Sequence, residues 1–360
     1  MRDILPELNG KDYIEALNEK YDIRFCHVDE IDELVEFLRR YWRYNHIFVK
    51  SRILLDWQHL DKVNNRYNFV IAKHRESGEI HSILGFVPTQ QYDHNIYNLC
   101  VWPCIWKSRD DVKVKGLGVS LYYYLKENLY NLETFSILGI STIALNIYKH
   151  WNFETGTIKQ YYMLNQNFET YNLLNNYSNI KKDKVNIERA TYIELDEKEF
   201  IDFNNSHKLE FNRYKSVLYY VNRFYKHPIY KYNAYIVSNN SAQPFVIFTR
   251  CCEGNNSKCL RIVDFIGNID KTDNIYANIQ KLLFETNSEY IDLINVGDSK
   301  EKILNMGFND MDDSSIVIPN YFEPFEKSVV KLDYAYRSVS EESRCQFVKA
   351  DADQDRPNVI

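Results

Sequence analysis

Asn98-Leu-Cys-Val-Trp-Pro-Cys-Ile-Trp106, followed six residues later by Lys113-Val-Lys-Gly-Leu-Gly-Val-Ser-Leu121, is the stretch on which the reading of this chain turns. The first part is an apolar run suited to a strand. The second is a loop with two glycines that opens a helix, Val119 to Asn128. A strand, a glycine loop and a helix N-terminus in that order make an anion site. Main-chain N–H groups point outward, glycines admit close approach, and the helix dipole favours negative charge. A pyrophosphate suits such a site. Gly116 and Gly118 would equally serve a plain turn, so the elements on either side decide.

Before this stretch, Ile23 to Val28 is predicted to be a strand. Asp29 and Asp32 then open a helix with apolar Ile31, Leu34, Val35, Leu38 and Trp42 at helical spacing. A second helix is expected over Phe48 to Leu60, then strands over Tyr67 to Lys73 and Ile80 to Pro88, joined by the polar turn Glu76-Ser-Gly-Glu79. After it come a short strand at Phe135 to Gly139, a helix at Ile143 to Trp151 and a closing strand at Ile158 to Leu164.

The pattern then repeats. Beyond the Asn-, Tyr- and Lys-rich stretch Asn165 to Lys184, a strand is expected at Asn186 to Ile193 and helices at Glu197 to Asn204 and Ser216 to Phe224. Strands follow at Tyr232 to Val237, Pro244 to Thr249 and Leu260 to Ile266. A helix at Ile275 to Phe284, a strand at Tyr290 to Val296, a helix at Ser299 to Met306 and a strand at Ser315 to Pro319 complete it. Tyr148-Lys-His-Trp-Asn-Phe153 recurs 155 positions later as Ile303-Leu-Asn-Met-Gly-Phe308, each where a helix gives way to the last strand. An internal duplication follows. The domains are an N-terminal lobe at 1–165, a linker at 166–185, a second lobe at 186–330 and a tail at 331–360. The fold class is α/β, two tandem lobes, each a mixed central sheet flanked by helices.

Composition narrows the function. Hydrophobic residues at 45% and charged residues at 26% describe a folded globular chain. A formal net charge of −6 gives no basic face for a run of phosphates, so nucleic acid is not an expected partner. Seven cysteines include no CxxC pair of metal spacing, and no metal site is expected. No run of 18 apolar residues and no signal peptide is visible, so a cytoplasmic protein without a membrane partner is expected.

The N-terminal lobe resembles the GNAT acyltransferases. Val101-Trp102-Pro103 is similar to that family's apolar–x–Pro strand ending, and Lys113-Val-Lys-Gly-Leu-Gly118 to its Arg/Gln-x-x-Gly-x-Gly/Ala loop. Lys113 stands where Arg or Gln is usual, and Trp106 to Val112 look inserted. Ser141-Thr-Ile-Ala144-Leu-Asn-Ile147-Tyr148-Lys-His-Trp-Asn-Phe153 is similar to the family's Asn-x-x-Ala-x-x-Leu-Tyr-x-x-x-Gly-Phe, with Ser141 and Asn152 in the Asn and Gly places. The resemblance implies an acyl-CoA cofactor, acetyl-CoA or a short hydroxyacyl-CoA, with its pyrophosphate on the amides of Val114, Lys115, Gly116, Leu117, Gly118, Val119 and Ser120. It implies an amide near Cys100 and Val101 to polarise the acyl carbonyl. It also gives Tyr148 the role of meeting the leaving thiolate, although a packed helix tyrosine is the plainer reading of the residue alone.

An attacking amine must lose a proton. In the loop Thr89-Gln-Gln-Tyr-Asp93-His94-Asn95, Asp93 is the first candidate to take it and His94 the second. The second lobe has no Gly-x-Gly loop and carries Ile303 in the place of Tyr148. It would shape the acceptor cleft or a contact between subunits of a homo-oligomer. The tail, Arg344-Cys-Gln-Phe-Val-Lys349-Ala-Asp-Ala-Asp353-Gln-Asp-Arg356, resembles that of tandem GNAT proteins of bacterial surface-sugar pathways, such as the N-acyltransferases acting on nucleotide-linked 4-amino sugars in anthrose synthesis. That resemblance implies a dTDP- or UDP-linked amino sugar as acceptor, in the setting of lipopolysaccharide or O-antigen synthesis, with Lys349, Asp353 and Arg356 at its site. Another amine, a protein lysine among them, and a non-catalytic binding protein on the same scaffold are the alternatives.

Overall fold

In a computed structural model, residues 14–176, 185–207, 209–238, 244–322, 325–339, 345–352 and 355 are described. The chain divides into two compact units between Ile137 and Leu138.

The first unit begins with strand β1 (Tyr21–His27) and helix α1 (Ile31–Phe37), which buries Ile31, Leu34 and Phe37 at helical spacing. The expected second helix is broken. A turn at Ile47–Lys50 stops at Ser51, and Ser51 Oγ caps α2 (Arg52–His59) by accepting from the Leu54 amide. Then come β2 (Leu60–Asp61), β3 (Arg66–His74), β4 (Ile80–Pro88), β5 (Leu99–Ser108), α3 (Leu117–Asn128) and β6 (Leu132–Leu138). The sheet order is β1-β3-β4-β5-β6, with β2 beside β3. β3 and β4 are buried along most of their length, as strands covered on both faces must be. All neighbours are antiparallel except β5 and β6, which α3 connects as a parallel crossover. The β4–β5 register slips at Gly85, where a Cβ would lie 2.6 Å from Phe69 Cε1.

The second unit contains α4 (Thr142–His150), β7 (Glu154–Thr157), β8 (Lys159–Leu164), β9 (Ile193–Leu195), α5 (Glu197–His207), β10 (Tyr232–Ser238), β11 (Phe245–Gly254), β12 (Ser257–Ile266), α6 (Tyr276–Glu285), β13 (Tyr290–Val296), α7 (Lys300–Asn305), β14 (Asn309–Asp310), β15 (Asp333–Ser338) and β16 (Phe347–Val348). Its sheet order is β14-β8-β13-β12-β11-β10-β9, with β16 also on β13, and β7 pairs with β15. Again one central pair, β12–β13, is parallel and bridged by a helix. The core packs α6 residues Ile279, Leu282 and Leu283 against Ile247, Leu260 and Ile291.

The duplication holds in detail at the two helix ends. Trp151, Asn152 and Phe153 donate their amides to the carbonyls of Ile147, Lys149 and Tyr148, and Met306, Gly307 and Phe308 donate to Lys302, Leu304 and Ile303. Every pair is offset by the same 155 positions. Asn152 (φ 56°) and Gly307 (φ 105°) both take the left-handed conformation that ends such a helix.

Several elements differ from expectation. The closing strand of the first lobe, β8, lies between β13 and β14 in the second unit's sheet, because Tyr161, Met163 and Leu293 share that core. The strand expected at 186–193 is confined to Ile193–Leu195. Ser315 to Pro319 forms only a single bridge, Val317 to Asn175, and β14 takes the edge position instead. Trp106 to Ser108, read as part of a segment between strand and loop, belong to β5 itself. Among the described residues, no helix is long and apolar enough to cross a membrane.

Candidate functional site

β5 and β6 are paired only at Leu99–Leu132, Cys100–Thr134 and Val101–Phe135. Beyond Val101, β5 continues against β4 as far as Ser108 and β6 runs on to Leu138 without pairing to β5, so the two strands part. Cys100 turns its amide and carbonyl to the Thr89 hydroxyl, at 3.3 and 3.4 Å. By the two-residue alternation of a strand, Val101 and Pro103 face the parting. Pro103 has no N–H, so the first position past the last pair leaves no donor stranded there.

At the wide end of the parting sits the N-terminus of α3. Gly116 is its N-cap, at φ 82° and ψ −5°, a conformation that costs other L-residues dearly. No side chain caps this helix and no acid occupies its first turn. By contrast, Ser51, Ser141 and Ser216 cap their own helices through Oγ. At this helix start Leu117 donates its amide to the Val114 carbonyl at 3.4 Å and Ser120 to that of Gly116 at 2.9 Å, while the amides of Gly118 and Val119 have no side-chain cap over them. Beneath the loop the Trp106 indole donates to the Gly118 carbonyl at 3.0 Å, and a Cβ on Gly118 would sit 3.2 Å from that nitrogen. Gly118 thus lets α3 close on β5, while Gly116 sets the direction of the amides. Ser120 is drawn inward, its hydroxyl on the Leu117 carbonyl at 2.7 Å. Lys113 and Lys115 are exposed beside the turn. The Gly118 and Val119 amides, a left-handed glycine, two exposed lysines and a first turn without an acid suit a phosphorylated ligand.

Asp93 is buried and its Oδ1 accepts from the Asn95 amide at 2.9 Å and the Asn95 carboxamide at 3.1 Å. His94 is exposed and lines a cavity of about 200 Å³ with Asp61, Arg66, Asn68, Gln90, Gln91 and Leu99. This loop precedes β5 and the glycine turn follows it. The ten residues of β5 lie between them, about 30 Å at roughly 3.3 Å per residue. The structure therefore brings Gly116, Gly118 and Trp106 together but sets Asp93 and His94 at the opposite end of the strand.

In the second unit, Tyr148 is buried in α4, its ring 5.0 Å from Phe153 and 5.9 Å from Trp151. Ser141 caps this helix through the Ala144 amide. Lys349 is 5% exposed, and burial, reinforced by the nearby Arg261, pushes its ammonium down to about 7. Asp353 and Arg356 lie outside the described residues.

The connection that corresponds to the glycine turn in the second lobe is built differently. Gly267 leads to Asn268, which caps a short turn through the Asp270 amide, and the Asn274 carboxamide accepts from the Tyr276 amide at 2.9 Å. That helix start has a side-chain oxygen on it where α3 has none. Trp106 and Thr89 were not singled out in the sequence. Nothing in their spacing marks them, since their role depends on β5 running on through Trp106 to Ser108.

The sequence matches no family model and no curated protein. Solved structures match the fold. A GCN5-related N-acetyltransferase from Anabaena variabilis superposes with a TM-score of 0.52 at 11% identity, over 89% of this chain and 73% of that one. A probable N-acyltransferase from Enterococcus faecalis superposes with a TM-score of 0.50 at 9% identity, over 87% and 71%. The chain is similar to both in fold, an α/β architecture of two mixed sheets flanked by helices.

Proposed function

We propose that this chain is an acyl-CoA-dependent N-acyltransferase whose cofactor is held by the first lobe, residues 1–165. The observation that carries the reading is the parting of β5 from β6 with the uncapped start of α3 at its mouth. Amides from Val114 to Ser120 would hold the cofactor's phosphates, with Lys113 and Lys115 adding positive charge. The bound cofactor supplies an acyl thioester. The protein's own contribution is to orient that group, keep main-chain donors at its carbonyl and move one proton. A main-chain amide near Cys100 and Val101 is assigned as the donor to the carbonyl. Asp93 is assigned as the group that takes the amine proton, with His94 as its alternate, and Tyr148 as the donor to the departing thiol. The two superposed structures are a GCN5-related N-acetyltransferase and a probable N-acyltransferase, which supports the class of reaction.

The acceptor is assigned as the amine of a dTDP- or UDP-linked amino sugar, on the resemblance of the tail. The second lobe, 186–330, would shape its cleft. Titration calorimetry of the full chain with CoA, then with dTDP and UDP, tests both levels. Binding of CoA and of a nucleotide, followed by acyl transfer to a nucleotide amino sugar seen by mass spectrometry, is the expected result. CoA binding with transfer only to a different amine overturns the acceptor, and no CoA binding overturns the enzyme.

A further inference from the structure

The second lobe repeats the parting of the first, but there it is filled. β12 and β13 pair at Leu260–Ile291, Arg261–Asp292 and Ile262–Leu293 and then separate, three positions as in β5 and β6. Just past the last pair, β16 lies against β13, with Val348 opposite Asn295 and Phe347 opposite Val296. Two residues on, the Ala350 amide donates to the Val263 carbonyl of β12 at 2.8 Å. The C-terminal segment is thus hydrogen-bonded to both strands at the level where they have come apart. Among the described residues no strand is inserted between β5 and β6.

The fit is close and the segment is anchored by charge. Gly297, at φ 100°, has no room for a Cβ, which would fall 2.1 Å from the Cys345 carbonyl oxygen. Phe347, Val348, Ala350, Asp351 and Ala352 are all buried. Lys215 bridges Asp264 of β12 at 2.8 Å and Asp351 of the segment at 2.9 Å. Asp355 takes Arg223 at 2.6 Å and the Tyr232 hydroxyl at 2.6 Å on its two oxygens, while its carbonyl accepts from Arg250 at 2.6 Å. Both clusters are buried, and removing one member of a buried ion pair is strongly destabilising. These contacts belong to a built-in part of the sheet rather than to a tail resting on it.

We propose that residues 345–352, with Asp355, are a fixed intramolecular occupant of the opening between β12 and β13, so that the second lobe's slot is filled by its own main chain and takes no acyl-CoA. The comparison with acyl-CoA rests on the function proposed for the first lobe; the occupancy does not.

Hydrogen exchange of the full chain, read by mass spectrometry with residue-level fragmentation, separates the two. The Val348 and Ala350 amides are expected to be protected on the order of a thousandfold, as core strand amides are. Saturating CoA is expected to slow exchange at 114–120 and leave 347–350 unchanged. The variant Asp355→Asn should speed exchange at 347–350 at least tenfold without altering 114–120. Exchange at 347–350 within seconds in the unmodified chain overturns the occupancy. So does loss of protection there on adding CoA, since the segment would then be a displaceable lid. Protected 347–350 with no CoA response at 114–120 upholds the occupancy and counts against the first-lobe reading.

Discussion

Gly116 offers the sharpest test of the first-lobe site, because its conformation and its surroundings can be perturbed separately. At φ 82° it lies in the left-handed region, which costs an ordinary L-residue about 1–2 kcal/mol. Asparagine tolerates that region, and this chain uses it so at Asn65, Asn131, Asn152, Asn176, Asn255, Asn256 and Asn287. Valine, branched at Cβ, does not. In the free protein the turn can relax to negative φ and turn its amides away, so the strain falls on the bound state. About 1.4 kcal/mol corresponds to tenfold in affinity. Gly116→Val is therefore expected to weaken CoA binding by about tenfold, and Gly116→Asn by less than about threefold. Titration calorimetry of the three proteins, with thermal melts to confirm intact folds, is the assay. Equal affinity for glycine and valine removes the turn from the site. Equal weakening by valine and asparagine shows that bulk, not backbone direction, is what matters.

Acid stability should depend on Glu30. Its hydrogen bonds to Arg24, foremost, and to Lys73 hold its carboxyl down at about 2, below the roughly 4.3 of an unfolded chain. Its contribution is therefore present above about pH 4 and is lost as the pH falls toward 2. Glu30→Gln should lower the urea midpoint at pH 6, and should lose less than the parent between pH 6 and pH 3. A parallel drop in both proteins refutes this. Lys349 works in the opposite range, because its folded pKa of about 7 lies below the ordinary lysine value. The unfolded chain binds the extra proton between about pH 7 and 10, so stability rises with pH there. Lys349→Met should abolish that component of the rise, and an unchanged slope would place the lysine in water. Asp93→Asn keeps an acceptor for the Asn95 amide, so a fall in kcat of about 10²-fold with an unchanged melting temperature is expected. Normal turnover in Asp93→Asn reassigns the base. Tyr148→Phe should reduce kcat with KM unchanged, whereas a purely packing tyrosine predicts no kinetic effect.

Much of the fold was legible because its signals are local. The helical spacing of Ile31 and Leu34 and the helix start at Ser216 are written in short windows, whereas the cap at Ser51, which breaks the helix expected over Phe48 to Leu60, was not read. The repeated helix end at Phe153 and Phe308 was visible for the same reason. What was missed depends on partners far along the chain. The hairpin turn at Asn255 and Asn256, both at positive φ, extends β11 and begins β12 earlier than apolarity alone suggested. Polar residues on those strand ends hid it. β15 and β16 are short and flanked by polar sequence, so the strands they pair with define them.

The site divides in the same way. Gly116 and Gly118 could be read as a turn from their identity, since glycine adopts the left-handed conformation of the first most readily and suits the close packing of the second. The uncapped state of α3 could not, because an empty cap is a fact about every nearby side chain at once. The two lobes make the same point from opposite directions. The absence of a Gly-x-Gly loop at 267–274 set the second lobe apart in sequence, yet its strands still part after three pairs, as β5 and β6 do. What distinguishes the lobes is therefore less the geometry of the sheet than what meets it: bare amides in one, and the carboxamide of Asn274 and the main chain of residues 347–350 in the other. A duplicated fold that keeps its opening must either bind something there or fill it, because unpaired strand edges in a buried cleft are costly. Losing a glycine loop would not by itself have closed the second slot, whereas a segment hydrogen-bonded to both strands does.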